Sequence, residues 1–154
     1  MAIKNYTTKI PIEKTVGEIE IILAKHGAEQ ILKEYYGDGS VKSVSFIVDI
    51  KGNKVPFRLP INLDAWITLV NLAVKDKKLP KRFHNDSSQA ARVGWRVIKD
   101  WVDAQTALIE TQTVKIEQVF LPYAIINIEG QTLYEKFSLT GFKNLQLGNG
   151  DDSE

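Results

Sequence analysis

The sequence predicts a single α+β domain: one helix, a three-stranded antiparallel meander, then two or three helices packed on the sheet. Three observations carry this. Between Ala28 and Leu59 apolar and polar residues alternate, interrupted by two turn signals, Gly37-Asp38-Gly39-Ser40 and Lys51-Gly52-Asn53. Before and after this stretch the apolar period becomes helical. The longest helical stretch, Ser87 to Glu110, places Ala91, Trp95, Ile98, Trp101, Val102, Gln105, Leu108 and Ile109 on one stripe, so that it brings two of the three tryptophans to a core.

In chain order, Ile3 to Lys9 is rich in strand formers and stops at Pro11, which predicts a short first strand on a sheet edge. Thr15-Val16-Gly17-Glu18 fits a capping box, Val16, Ile19, Ile22 and Leu23 give the helix after it one apolar face, and Gly27 ends it. The first meander strand follows from Ala28 to Tyr36. The second, Val41 to Ile50, sets Val44, Phe46, Val48 and Ile50 against Ser43, Ser45 and Asp49, the clearest alternation in the chain. In the third, Val55, Phe57 and Leu59 alternate with Lys54, Pro56 and Arg58. Pro56 has no N–H to give a ladder, which predicts an edge position.

Asn62 caps the next helix, which buries Trp66, Leu69, Val70 and Ala73 and crowds Lys75, Lys77 and Lys78 into its last turn. A basic connector, Leu79 to Asn85, leads to Asp86 and Gln89, an Asp-x-x-Gln variant of the capping box at the start of the long helix. A shorter helix, Val114 to Leu121, stops at Pro122. Residues 123 to 137 fit either a hairpin or a strand and a short helix. Residues 1–140 form the domain, and 141–154, rich in glycine, asparagine and aspartate, form a flexible acidic tail.

At 154 residues such a chain buries roughly 70% of its unfolded surface and needs no metal or disulfide to fold. There is no cysteine, which excludes disulfide scaffolds and thiolate metal sites. No run approaches the roughly 20 apolar residues of a membrane span, and the N-terminus lacks a signal-peptide core. A soluble protein of the cytoplasm is expected.

The net charge of +1 is unevenly spread. Lys75, Lys77, Lys78, Lys81, Arg82, Arg92, Arg96 and Lys99 face only Asp76 and Asp86 in the same stretch, a local charge of +6 that leaves about −5 elsewhere. The lysines closing the second helix complement its dipole. Lys81, Arg82, Arg92, Arg96 and Lys99 are the candidate anion- or nucleic-acid-binding residues: if the connector folds over the first turns of the long helix, they converge near a helix N-terminus.

Catalytic chemistry finds little support. A nucleophile needs a base and an orienter, and the sequence offers two histidines, no cysteine and no Gly-x-Ser-x-Gly elbow. His26 suits the negative end of its helix, and Asp86 beside His84 is a cap rather than a metal ligand. Asp100 and Asp103 are best read as partners for Arg96 and Lys99 on their own helix. Gly37-Asp38-Gly39 joins two strands, so it is a hairpin turn and not a phosphate loop. A binding protein with no cofactor and no catalytic or metal site is expected.

The stretches Ile3 to Pro11, Thr15 to Ile19, Phe57-Arg58-Leu59-Pro60, Ala91 to Gln105 and Phe120-Leu121-Pro122-Tyr123 resemble small uncharacterised proteins of bacteriophages and prophages. The resemblance implies a viral protein acting in the host cytoplasm. It supplies no catalytic residues. Two functions suit that setting. One is a nucleic-acid-binding accessory of phage replication or recombination, since helix, meander, helix is loosely similar to single-strand annealing and double-stranded-RNA-binding cores. The other is a counter-defence protein, of the anti-CRISPR kind or one sequestering an anionic nucleotide signal, that inhibits a host immune system by binding. Either leaves a homo-oligomer open and needs no membrane. Substituting Trp95 is expected to unfold the protein and substituting Arg96 to leave it folded.

Overall fold

The computed structural model describes residues 4–148. Its order is α1 (Ile12–Lys25), β1 (Ala28–Tyr35), β2 (Val41–Ile50), β3 (Asn53–Arg58), α2 (Leu63–Lys75), α3 (Ser87–Glu110), α4 (Ile116–Phe120) and α5 (Leu133–Leu139). The strands form one antiparallel sheet in the order β1-β2-β3. This is the expected α+β arrangement. No helix among the described residues is long and apolar enough to cross a membrane.

The meander follows the alternation in the sequence. Val44, Phe46 and Val48 of β2 are buried, with Ile31 of β1 opposite Phe46 on one side and Phe57 of β3 opposite it on the other. The Pro56 carbonyl accepts from Ile125 N at 2.8 Å, beyond the sheet. In an antiparallel strand a residue's N–H points the same way as its C=O, so the missing N–H of Pro56 lies on the outer edge and costs no ladder bond. That edge is then covered by a bridge between Phe57 and Ala124.

The core has two parts joined by α3. The larger packs Val16, Ile19 and Leu23 of α1 and the inner sheet face against Trp95, Ile98 and Val102 of α3, with Phe120 of α4 at one end. Phe120 meets Phe46 edge-on at 5.1 Å between centroids and Trp101 at 5.5 Å. The smaller part packs Val70 and Ala73 of α2 with Leu79 against Ala90 and Val93 of α3. The third helix is therefore buried on two sides. Its buried residues include Gln89, Ala90, Val93, Gly94 and Thr106 beside the expected Trp95, Ile98 and Val102, whereas Leu108 is exposed. A single stripe underestimates a helix with neighbours on both flanks.

Several local expectations are corrected. Residues 4–9 form a turn and an irregular stretch rather than a strand, Ile3 lying outside the described residues. The Gln89 side chain takes their backbone, Nε2 donating to the carbonyls of Tyr6 at 3.0 Å and Thr8 at 3.1 Å. Helix α1 starts at Ile12 with Pro11 as its cap, so Thr15 lies inside the first turn, buried, and closes no capping box. The cap of α3 is half of the expected box: Asp86 Oδ1 accepts from Gln89 N at 2.9 Å, but the Gln89 side chain turns to the N-terminal segment instead of returning to the cap. Residues 125 to 132 close a tight loop that leads into α5, whose cap Thr132 accepts from Glu135 N. Residues 141–148 are exposed, with Phe142 lying 5.7 Å from Tyr134 between ring centroids and Lys143–Leu145 forming a 3-10 turn. The acidic end, 149–154, lies outside the described residues.

The ends of α1 and α3 are tied by His26. Its Nδ1 lies 2.6 Å from the Ile22 carbonyl and its Nε2 2.8 Å from Glu110 Oε1. The hydrogen bond to the Ile22 carbonyl, aided by Glu110 and opposed by burial, raises its pKa above the ordinary 6.5. A group raised in the folded state stabilises fully below its unfolded pKa and loses that contribution as pH rises through the folded value. Urea denaturation of His26→Gln should thus show a loss of about 1 kcal/mol below pH 6.5 that shrinks at alkaline pH.

Two helix-interior glycines should respond oppositely to alanine. At Gly17 a Cβ meets nothing within 4 Å, so Gly17→Ala should stabilise by about 0.5–1 kcal/mol through helix propensity. At Gly94 a Cβ would sit 2.7 Å from Cδ1 of the Trp66 indole, and Gly94→Ala should destabilise by about 1–3 kcal/mol despite the better propensity. Chemical denaturation midpoints check both signs.

Candidate functional site

The five cations singled out in the sequence are held in different ways. On α3 each has a partner within the chain. Arg92 donates from Nε and Nη2 to Gln89 Oε1, at 3.0 and 2.7 Å. Arg96, its side chain only 14% exposed, donates from Nη1 to Glu18 Oε2 of α1 at 2.7 Å and to Thr15 Oγ1 at 3.4 Å. Lys99 pairs with Asp103 one turn on, at 2.6 Å, the intrahelical pair the sequence suggested. The matching Arg96 to Asp100 pair does not form. Asp100 Oδ2 instead accepts from Asn5 Nδ2 at 2.9 Å and pairs with Lys4 at 3.1 Å. Burial raises its pKa, but Asn5, Lys4 and Lys99 together outweigh this and hold the carboxyl below its usual value.

The connector is held to α2 by hydrogen bonds. Asn85 and Asn71 exchange two hydrogen bonds, Nδ2 of Asn71 donating to Oδ1 of Asn85 and the Asn85 amide donating to Oδ1 of Asn71. Phe83 packs against the smaller cluster, which α2 and α3 share. These contacts draw the connector to α2, while Tyr6 and Thr8 lie beside the first turn of α3 through Gln89. Lys81 and Arg82 sit in a single 3-10 turn, both exposed, the Arg82 guanidinium 4.7 Å from the Phe83 ring centroid. Lys75, Lys77 and Lys78 are exposed just before them, and none of the five makes an ion pair among the described residues. Within the basic stretch 75–99, the cations that make neither an ion pair nor a side-chain hydrogen bond among the described residues thus lie at the end of α2 and in the connector.

A second feature gave no signal in the sequence. Where β2 begins and β3 ends, a cleft of about 670 Å³ opens between the sheet, the β3–α2 loop and the segment around α5. Tyr36, Tyr123 and Tyr134 reach it from three separate stretches. Tyr123 is held edge-on to Trp101 at 5.7 Å and Tyr134 against Phe142. Its charged residues balance: Lys42 and Arg58 against Glu34 and Glu135. Glu34 accepts from Ser43 Oγ at 3.0 Å, and Arg58 Nη2 donates to the Gly130 carbonyl and lies 3.5 Å from Glu135. Gly130 makes its turn at φ +81°, a conformation that favours glycine. The residues meet only through tertiary packing, so no spacing in the chain marks them.

No group of three or more histidine, aspartate or glutamate side chains among the described residues is placed to hold a metal ion. His84 is exposed, and Asp86 is spent as a cap. Compared with known protein families, curated proteins and solved structures, the chain has no match.

The structure revises the expectation for Arg96. Its guanidinium is the polar bridge between α1 and α3, so removing it leaves Glu18 and Thr15 without their partner in a part-buried interface. Arg96→Ala should cost about 1–3 kcal/mol, with Glu18→Ala costing less than additively in the double variant, as a thermodynamic cycle from urea titrations would measure.

Proposed function

We propose that the protein is a non-enzymatic binder of nucleic acid, an accessory of phage replication or recombination, that engages the phosphate backbone with the α2–α3 connector. One observation carries the reading. Lys75, Lys77, Lys78, Lys81 and Arg82 lie exposed and without ion-pair partners among the described residues, while Arg92, Arg96 and Lys99 are committed within the fold. The helix dipole accounts for the first three cations at the end of α2, but not for Lys81 and Arg82 beyond it. A short run of mobile-headed cations on a turn suits a sequence-independent backbone contact.

The counter-defence reading has support of another kind. Leu121, Ile128, Leu139, Leu145 and Leu147 are all more than half exposed in the C-terminal part, apolar side chains that a protein partner would cover. That favours a protein partner.

A salt titration separates the two. Binding of single- and double-stranded oligonucleotides should weaken steeply with salt, and Lys81→Ala with Arg82→Ala should reduce the slope of log affinity against log salt by about 1.4–1.8. Affinity undetectable at low salt, or a slope the double substitution leaves unchanged, overturns the nucleic-acid reading.

A further inference from the structure

We infer that the tyrosine-lined cleft is a binding site for a nucleobase carrying at most one negative charge, a nucleoside or a phosphodiester nucleotide. The site is separate from the connector, because it opens at the N-terminal end of α2, where Asn62 and Leu63 line it, and the connector leaves from the C-terminal end. Thirteen helical residues put about 20 Å between them.

Size, walls and charge each narrow the ligand. About 670 Å³ is within the range of small-molecule sites and too small for a folded partner. Three phenol rings from different parts of the fold line the cleft, and aromatic rings bind nucleobases by stacking whatever the base's identity. Two of these rings are oriented by Trp101 and Phe142, so little side-chain freedom is lost on binding. None of the three hydroxyls hydrogen-bonds to protein among the described residues, which leaves three donor and acceptor groups for the edge of a ring. Glu34 and Arg58 are steadied by Ser43 and Gly130 yet keep unused acceptor and donor capacity toward the cleft.

The charges disfavour polyphosphates. Arg58 is already shared with Glu135, and Lys42, whose ammonium lies 5.9 Å from the Tyr36 ring centroid, is the cation of the cleft lining that has no ion pair among the described residues. With Glu34 and Glu135 balancing the two cations, a triphosphate would find one free cation for its several charges, whereas one phosphodiester charge can be met by Lys42.

The same chemistry occurs in a free cyclic mononucleotide and in a nucleotide within a single strand. Thermal unfolding and titration calorimetry would use adenosine, uridine, their 3′,5′-cyclic monophosphates, ATP, ribose 5-phosphate and a single-stranded hexanucleotide as probes. The nucleosides and cyclic nucleotides should raise the midpoint by about 3–5 °C at ten times the dissociation constant. Tyr134→Ala, at an exposed ring, should abolish this, and Lys42→Ala should weaken the cyclic nucleotides about tenfold and spare the nucleosides. ATP should bind more weakly than either. A hexanucleotide that binds to the cleft as tightly as the cyclic nucleotides identifies the strand as the source; one excluded from it identifies the free nucleotide. No shift with any nucleoside or cyclic nucleotide, an equal shift with ribose 5-phosphate, or binding that survives Tyr134→Ala overturns the inference. Because Lys81 and Arg82 are far from the cleft, their double substitution tests the proposed backbone contact without touching this one.

Discussion

The burial of α3 on two sides is the constraint that sets the rest. One flank packs Trp95, Ile98 and Val102 against α1 and the sheet, and the other packs Ala90 and Val93 against α2, with the Trp66 ring seated on Gly94. A helix clasped in this way keeps only a narrow strip for its charged side chains. Cations close to an apolar interface must be paired, because an unpaired desolvated charge costs several kcal/mol. Arg96 and Lys99 are ion-paired for that reason, with Glu18 and Asp103, and Arg92 is hydrogen-bonded to the neutral Gln89 amide.

The same requirement shapes the N-terminal segment. Residues 4–9 have strand-forming side chains but join no sheet edge, and the edge of β3 is already flanked by Ala124. Their carbonyls are satisfied by Gln89, and Asn5 and Lys4 by Asp100. A buried glutamine amide offers two donors and an acceptor that must all be met, and here Tyr6, Thr8 and Arg92 meet them. The segment is thereby fixed across α3 without secondary structure of its own.

The two surfaces left over have different physics. The connector presents charge on a short turn, where long side chains stay hydrated and are free to reorganise around a phosphate chain. The cleft presents oriented rings and balanced charge, which select shape and ring chemistry rather than charge alone. The two surfaces lie apart because they sit at opposite ends of α2.

What the sequence determined by itself was local. The meander with its two turns, the bounds of α3, the Asn62 and Asp86 caps, the edge position forced by Pro56 and the place of His26 at a helix end all follow from interactions between residues a few positions apart, which alternation, periodicity and capping chemistry report directly. What the tertiary structure decided was partnership. Arg96 with Glu18, Gln89 with Tyr6 and Asn5 with Asp100 are 78, 83 and 95 residues apart, and Tyr36, Tyr123 and Tyr134 meet only across the finished fold. A cationic stripe on a helix reads the same whether it faces water or a neighbouring carboxylate. Only packing, by taking one side of that helix out of solvent, separates the charges that hold the protein together from those left free to bind.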